Sequence, residues 1–256
     1  MNRPSICQRP CWQEVPAWSY VPKPPQTQLS TDTTSQYQGS HILTTLLEHP
    51  SFTAVYAYTR KALPAYPNTA KLQALEISDS ALWPAQFPAA QPTLFLSALG
   101  TTRAAAGGTA AQRAIDYDLN LALARAAHER GARTYVLVSS AGADTKSSLF
   151  YPRMKGELEE AVRALGFAHC VILRPGLLVG ERAESRPAEW VVRQLAKGLG
   201  ALGHVLVDSW AQEAGVVARA AVSAGLQCVE GKREEGVWVL DQKEIVKLGR
   251  TEWTGK

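Results

Sequence analysis

The chain has 256 residues, of which 46% are hydrophobic and 20% charged, and a formal net charge of +4. That is enough chain for one large domain with a buried core. No window approaches the roughly 20 uninterrupted apolar residues that span a bilayer, and the basic residues are scattered rather than clustered, which argues against nucleic-acid binding.

Residues 1–38 come first and stand apart. They carry Pro4, Pro10, Pro16, Pro22, Pro24 and Pro25, and QTQLSTDTTSQYQ is polar without periodicity. That composition predicts an irregular segment. Cys7 and Cys11 lie here, but no second Cys/His pair sits at zinc-finger spacing, so no metal site is expected. No continuous apolar run suggests a secretory signal either.

From Ser51 onward the chain alternates. TAVYAYTR (53–60), LQALEIS (72–78) and PTLFLSALG (92–100) read as strands. AQRAIDYDLNLALARAAHERG (111–131) has helical spacing and a glycine stop, and TYVLVSS (134–140) is a continuous apolar strand. SSAGADTKSSLFYPRMKGELEE (139–160) passes from a polar loop into a helix, and HCVILRPG (169–176) is again a strand. Cys170 lies within that run and is expected to pack as a small hydrophobe; the cysteine usage suits a reducing compartment. EWVVRQLAKGLG, QEAGVVARAAVSAGL and GVWVL supply further helix and strand, with no internal repeat. Apolar strands alternating with helices predict a doubly wound α/β domain with a parallel sheet, spanning residues 39–256.

The chemistry of the chain concentrates in residues 139–160. Tyr151 and Lys155 are four apart, so a helix stacks them on one face. A neighbouring ammonium favours phenolate, and a tyrosine tuned this way exchanges a proton with a carbonyl or alcohol oxygen. Ser139 and Ser140 end the preceding strand, where a hydroxyl can hydrogen-bond the same oxygen. Open α/β sheets hold ligands at the carboxyl ends of their strands. Taken alone, the pair also suits a solvated helix face, and the serines also suit a turn cap.

Ser139–Ser140, Tyr-x-x-x-Lys and the strand VILRPG together resemble the short-chain dehydrogenase/reductase superfamily. LSALGTTRAAAGG, SSAGADTKSSLFYPRMKGELE, LRPGLLVGERAESRPAEW and the strand-end TRK are similar to its atypical branch, which contains the human Tat-interacting oxidoreductase-like protein and fungal mitochondrial-proteome proteins. The resemblance covers about residues 39–256 and implies a Rossmann domain that binds NADP(H) and reduces a small carbonyl substrate. It implies Tyr151 as proton donor, Lys155 as the residue that orients the nicotinamide ribose, and Ser140, ahead of Ser139, as the substrate-oxygen partner. It further implies peripheral association with the cytoplasmic face of the mitochondrial outer membrane, and a protein partner.

Other cofactor contacts are expected along the chain. Arg60 and Lys61 end the TAVYAYTR strand, where a cation suits a 2′-phosphate and an acidic residue would suit the bare ribose of NAD; the alternative is a solvated strand end. Leu99, Gly100 and Thr101 follow the next strand, and the glycine permits close backbone approach. The resemblance places Leu178 and Arg186 near nicotinamide and phosphate; core packing and a surface cation are the alternatives.

The largest departure lies upstream. Dinucleotide folds begin with an apolar strand and a glycine-rich turn that meets the pyrophosphate. Gly39, followed by SHILTTLLEHP, matches the third glycine of the related pattern Gly-x-x-Gly-x-x-Gly and the helix it opens, but the first two positions hold Thr33 and Gln36, and residues 27–32 read TQLSTD. The first strand and glycine loop are therefore expected to be missing or replaced, as by an alternative exon or a faulty gene model. The nearest substitute is AWSYV (17–21). An empty first-strand slot predicts residues 1–35 to be largely irregular, the domain to be easily unfolded and NADPH to bind weakly or not at all. Three functions follow: an NADPH-dependent oxidoreductase, a non-catalytic cofactor-binding regulator or scaffold, and an inactive variant.

Overall fold

The structure, a computed structural model, describes residues 26–30, 36–66, 69–179 and 211–255. Among these residues seven strands form one parallel sheet: β1 (Gln26–Ser30), β2 (Ala54–Thr59), β3 (Leu72–Glu76), β4 (Leu94–Ser97), β5 (Thr134–Val138), β6 (His169–Leu173) and β9 (Gly236–Leu240). Their spatial order is β3-β2-β1-β4-β5-β6-β9. The order reverses direction between β1 and β4, as doubly wound sheets do. A second, two-stranded parallel sheet pairs β7 (Leu177–Val179) with β8 (Ala211–Glu213).

Helices cover both faces because the strands are apolar on both. On one side lie α1 (Gln36–Glu48), α6 (Ala214–Val229) and α7 (Gln242–Val246). Their residues Ile42, Leu46, Val217 and Ala221 pack with Val55, Leu94, Leu96, Val136 and Val171 of the sheet. On the other side lie α4 (Asn120–Glu129) and α5 (Phe150–Arg163), where Leu123, Leu158 and Val162 pack with Tyr58, Phe95, Tyr135, Leu137 and Ile172. Neighbouring strand residues thus alternate between the two cores, the period-2 pattern of a pleated strand buried on both faces. Gly225 lets α6 approach the sheet: a Cβ there would lie 2.9 Å from Leu94 Cδ2.

The first strand corrects the expectation for the N-terminal segment. Gln26–Ser30 is a strand, and it fills the central slot, pairing in parallel with both β2 (Gln26↔Ala54 to Ser30↔Tyr58) and β4 (Thr27↔Leu94 to Ser30↔Ser97). The predicted substitute AWSYV lies outside the described residues. Residues 36–38 likewise depart from an irregular segment, since α1 starts at Gln36 rather than at Gly39. The physical reason is tertiary. Two apolar strands flank a gap one strand wide, and the hydrogen bonds of their facing edges outweigh the weak strand preference of QTQLS. The slot is filled, so an empty first strand no longer argues for an easily unfolded domain. Residues 31–35, where the pyrophosphate turn was sought, are outside the described residues.

Candidate active site

A cleft of about 450 Å³ opens at the carboxyl ends of β4 and β5, a volume in the ordinary range for ligand sites. One wall is Ala98, Leu99, Gly100 and Thr101, which follow β4; the other carries Phe150, Tyr151 and Lys155 from the start of α5. Gln38 from the first turn of α1, and Val138 and Ser139 from the end of β5, complete the floor.

Helix α5 delivers Tyr151 and Lys155 side by side, as the spacing predicts. Tyr151 is 40% exposed, whereas Lys155 is 3% exposed, and its ammonium lies 5.8 Å from the centroid of the Tyr151 ring. A buried ammonium needs a counter-charge, and Asp116, whose Oδ2 is 3.8 Å from Lys155 Nζ, supplies it. Asp116 Oδ1 accepts from the Thr101 backbone N–H at 2.6 Å. The carboxylate therefore ties the β4 wall to the α5 wall. Sequence reading passed over Asp116 because it lies inside a helical run. The structure shows why it faces the cleft: after the short helices α2 (Arg103–Ala106) and α3 (Thr109–Arg113), residues Ala114–Leu119 form a π-helical turn that leads into α4. Such turns re-aim one residue of a helix and recur at functional sites. Two further side chains hold this wall. Asn120 Nδ2 donates to Leu99 O and Asp116 O, each at 3.0 Å, and Gln112 Nε2 donates to Thr101 O at 3.0 Å.

Gly100 lines the cleft beside Asp116 and Lys155. A Cβ there would meet Asp116 Oδ2 at 3.6 Å and Lys155 Nζ at 3.7 Å, ordinary contact distances that would nonetheless cover both groups. Gly156 has a different task. A Cβ on it would approach Thr145 N at 2.4 Å and Asp144 C at 2.6 Å, so its hydrogen lets the 141–149 loop lie directly on α5. Asp144 N donates to Pro152 O at 3.0 Å across the same contact.

The two serines separate into different environments. Ser139 is buried, and its hydroxyl donates to Glu159 Oε1 at 2.6 Å. Glu159, 1% exposed, also receives Arg174 through Nε (3.1 Å to Oε1) and Nη2 (2.6 Å to Oε2), and Arg163 at 3.3 Å. Ser139 is thereby engaged in the packing of α5 against β5 and β6. Ser140, the next residue, is half-buried, and its carbonyl accepts from Ala143 N at 3.0 Å.

Of the expected residues, Leu99, Gly100, Thr101, Tyr151 and Lys155 are brought together in the cleft. Ser140, Gly39, Arg60 and Lys61 are not among its described walls. Gly39 is buried in α1 beside the cleft-lining Gln38, and Arg60 and Lys61 follow β2, half-buried and exposed respectively. The Thr59 hydroxyl donates to the Lys61 carbonyl and fixes this strand end. Leu178 lies in β7, its side chain outside the description, and Arg186 is outside the described residues. Gln38 was not anticipated. Its side chain is 4% exposed, Nε2 donates to Ala214 O at 3.0 Å, and Oε1 has no hydrogen-bond partner among the described residues. An acceptor left in that state costs about 1–3 kcal/mol.

The residues present fit a hydroxyl-bearing part of a nucleotide cofactor. A buried ammonium, a buried carboxylate and an unpaired amide oxygen share one cleft with an unobstructed glycine, and this mixture of donors and acceptors is what sugar hydroxyls require.

Known proteins agree with the fold. The most similar solved structures include a UDP-glucose 4-epimerase with UDP-glucose from Thermotoga maritima (13% identity, TM-score 0.58, 90% of this chain and 84% of that one). MoeE5 in complex with UDP-glucose and NAD matches at 17% identity and TM-score 0.58, over 90% of this chain and 82% of that one. A short chain dehydrogenase family protein from Francisella tularensis matches at 10% identity and TM-score 0.58, over 86% of this chain and 98% of that one. At these identities the likeness concerns the fold, which is of the short-chain dehydrogenase and epimerase type. Sequence relatives are much nearer. The protein named fmp52, mitochondrial, of Aspergillus clavatus is 50% identical over 218 residues, 82% of this chain and 93% of that protein. The corresponding Neurospora crassa protein is 44% identical over 224 residues, 84% of this chain and 92% of its own length. The family model described as HIM1 matches residues 62–199, more than half of the chain. This chain belongs to the HIM1 family, with the fungal fmp52 proteins among its relatives.

Proposed function

We propose that the chain is an NADP(H)-binding oxidoreductase that acts on a small carbonyl or alcohol substrate. The observation that carries this reading is the pairing of Tyr151 and Lys155 on one wall of a cleft at the strand carboxyl ends, with Lys155 held at its floor by buried Asp116.

Bound nicotinamide supplies the hydride. Lys155 donates hydrogen bonds from Nζ to sugar hydroxyl oxygens, and Asp116 keeps that ammonium in place. Tyr151, at the open side of the cleft, gives the proton of its hydroxyl to the substrate carbonyl oxygen, or takes it back in the reverse direction. Ser140, which follows the cleft-lining Ser139 without itself being one of the described walls, is the proposed second partner of the same oxygen, reached once substrate is bound, while Glu159 anchors Ser139 and so fixes the turn that carries Ser140. Gly100 gives the cofactor room against the β4 wall. Arg60 and Lys61, at the β2 end, meet the 2′-phosphate and set a preference for NADPH. Thr33 and Gln36, where glycines are expected, weaken the pyrophosphate contact, so binding is weaker than in a form with the glycines restored.

The test is NADPH oxidation across a panel of aldehydes and ketones, with Tyr151→Phe as comparison. Turnover in the wild type and a loss of at least about 100-fold in Tyr151→Phe support the assignment. Saturable NADPH binding without turnover on any carbonyl would favour a second reading, a cofactor-binding regulator of the kind suggested by the resemblance to the human Tat-interacting protein. The Lys155–Asp116 pair serves that reading equally well, because it stabilises the cleft without chemistry. Relatives named mitochondrial support a place at mitochondria. No helix among the described residues is long and apolar enough to cross a membrane, and peripheral attachment to the cytoplasmic side of the outer membrane is the arrangement we propose.

A further inference from the structure

Gln38 stands in the first turn of α1, immediately before Gly39, with its side chain 4% exposed and in the cleft lining. Its amide is held from one side: Nε2 donates to Ala214 O at 3.0 Å, at the start of α6. That bond fixes the amide plane and assigns the oxygen to the opposite side, where Oε1 is buried without a partner among the described residues. The bond to Ala214 O accounts for the amide nitrogen; the oxygen is left without a structural task, and buried acceptors in that state are rare.

The chemistry of the atom narrows what can meet it. The amino end of a 13-residue helix such as α1 favours anions, but an amide oxygen accepts hydrogen bonds and repels phosphate oxygens. Its partner must carry an O–H or N–H. The cleft also carries the polar side chains of Thr101, Thr102, Arg103, Thr109, Gln112, Ser139 and Tyr151; at its buried end stand a donor, Lys155 Nζ, and an acceptor, Asp116 Oδ2, 3.8 Å apart. A donor and acceptors arranged around one space suit a hydroxyl, which both accepts and donates.

We propose that Gln38 Oε1 accepts a hydrogen bond from a sugar hydroxyl of the ligand, on the nicotinamide half of the dinucleotide. Gln38 is then a binding residue, contributed by the segment that replaces the expected glycine turn. The inference rests on the dinucleotide reading above.

Two arms test it. In the wild-type chain labelled with nitrogen-15, the Gln38 side-chain amide resonances are followed during titration with NADPH and with adenosine 2′,5′-bisphosphate, which lacks the nicotinamide ribose. The proposal expects a saturable shift with NADPH and none with the bisphosphate. In the second arm Gln38→Met, similar in length but without an amide acceptor, weakens NADPH binding about five- to tenfold and leaves bisphosphate binding within about twofold. Unchanged NADPH affinity would overturn the proposal, because a water then satisfies Oε1. Equal losses for both ligands would also overturn it and reduce Gln38 to a tie between α1 and α6. If the wild type binds neither compound, the dinucleotide reading itself has failed and this contact falls with it. Binding of both compounds with a silent Gln38 amide refutes the contact alone.

Discussion

Replacing Asp116 by asparagine removes one charge and little else, and it reads out the energy that holds the cleft together. Asp116 is 1% exposed and Lys155 3% exposed, and their charged atoms lie 3.8 Å apart. At that spacing two unit charges attract by about 4 kcal/mol for an effective dielectric of about 20. Asparagine retains an oxygen for the Thr101 N–H, so the loss is chiefly the charge. Breaking a buried pair on one side costs about 3–5 kcal/mol. Because the acceptor is kept, about 2–4 kcal/mol is expected for Asp116→Asn, a large part of the roughly 5–15 kcal/mol that stabilises a domain. Lys155→Met should cost a comparable amount by stranding the carboxylate. The double variant leaves no buried charge unpaired, so it should be less destabilised than the sum of the two, with a coupling of at least about 2 kcal/mol. Urea unfolding followed by the fluorescence of the seven tryptophans measures all four proteins. A coupling below about 0.5 kcal/mol would show that water screens the pair, and the account of the cleft floor would be wrong.

Other perturbations probe the surroundings of the site. Gly156→Ala should push the 141–149 loop off α5, given the 2.4 Å approach to Thr145 N; a loss of about 1–3 kcal/mol in urea unfolding and faster proteolysis within that loop are expected. Glu159→Ala removes the acceptor shared by Ser139, Arg163 and Arg174; with both arginines about one-third exposed, about 2–3 kcal/mol is expected by the same unfolding assay. Burial pushes the thiols of Cys170 and Cys228 up to about 11, so at pH 8 about 0.1% of each is thiolate. Peptide mapping after iodoacetamide treatment should find both unmodified in the native chain and modified after unfolding, with native reactivity rising as the pH is raised toward 11.

Much of this molecule is written locally in its sequence. β2, β4, β5 and β6 are apolar runs buried on both faces, and such runs announce parallel strands without any knowledge of neighbours. Tyr151 and Lys155 were legible for the same reason: one helix carries both, and its register alone sets them together. What was not legible depends on partners distant in sequence. QTQLS has no strand signature of its own; it becomes a strand because β2 and β4 leave a gap whose backbone groups require pairing. Asp116 was hidden because a π-helical turn, not the regular helical period, turns it to the cleft. Gln38 gave no signal at all, since only the approach of Ala214, 176 positions away, fixes its amide. Conversely, Arg60 and Lys61 fall at the expected strand end, but the side chains of the turn that would share the ligand with them are outside the description.

The central claim is that this cleft holds NADPH, and calorimetric titration of the chain with NADPH and NADH tests it most directly, with Lys155→Met as the third arm. The account predicts saturable NADPH binding, weaker than in a form with glycines restored at positions 33 and 36, at least about tenfold tighter than NADH, and weakened at least tenfold by Lys155→Met. No saturable binding at millimolar NADPH, or binding indifferent to Lys155, would contradict it.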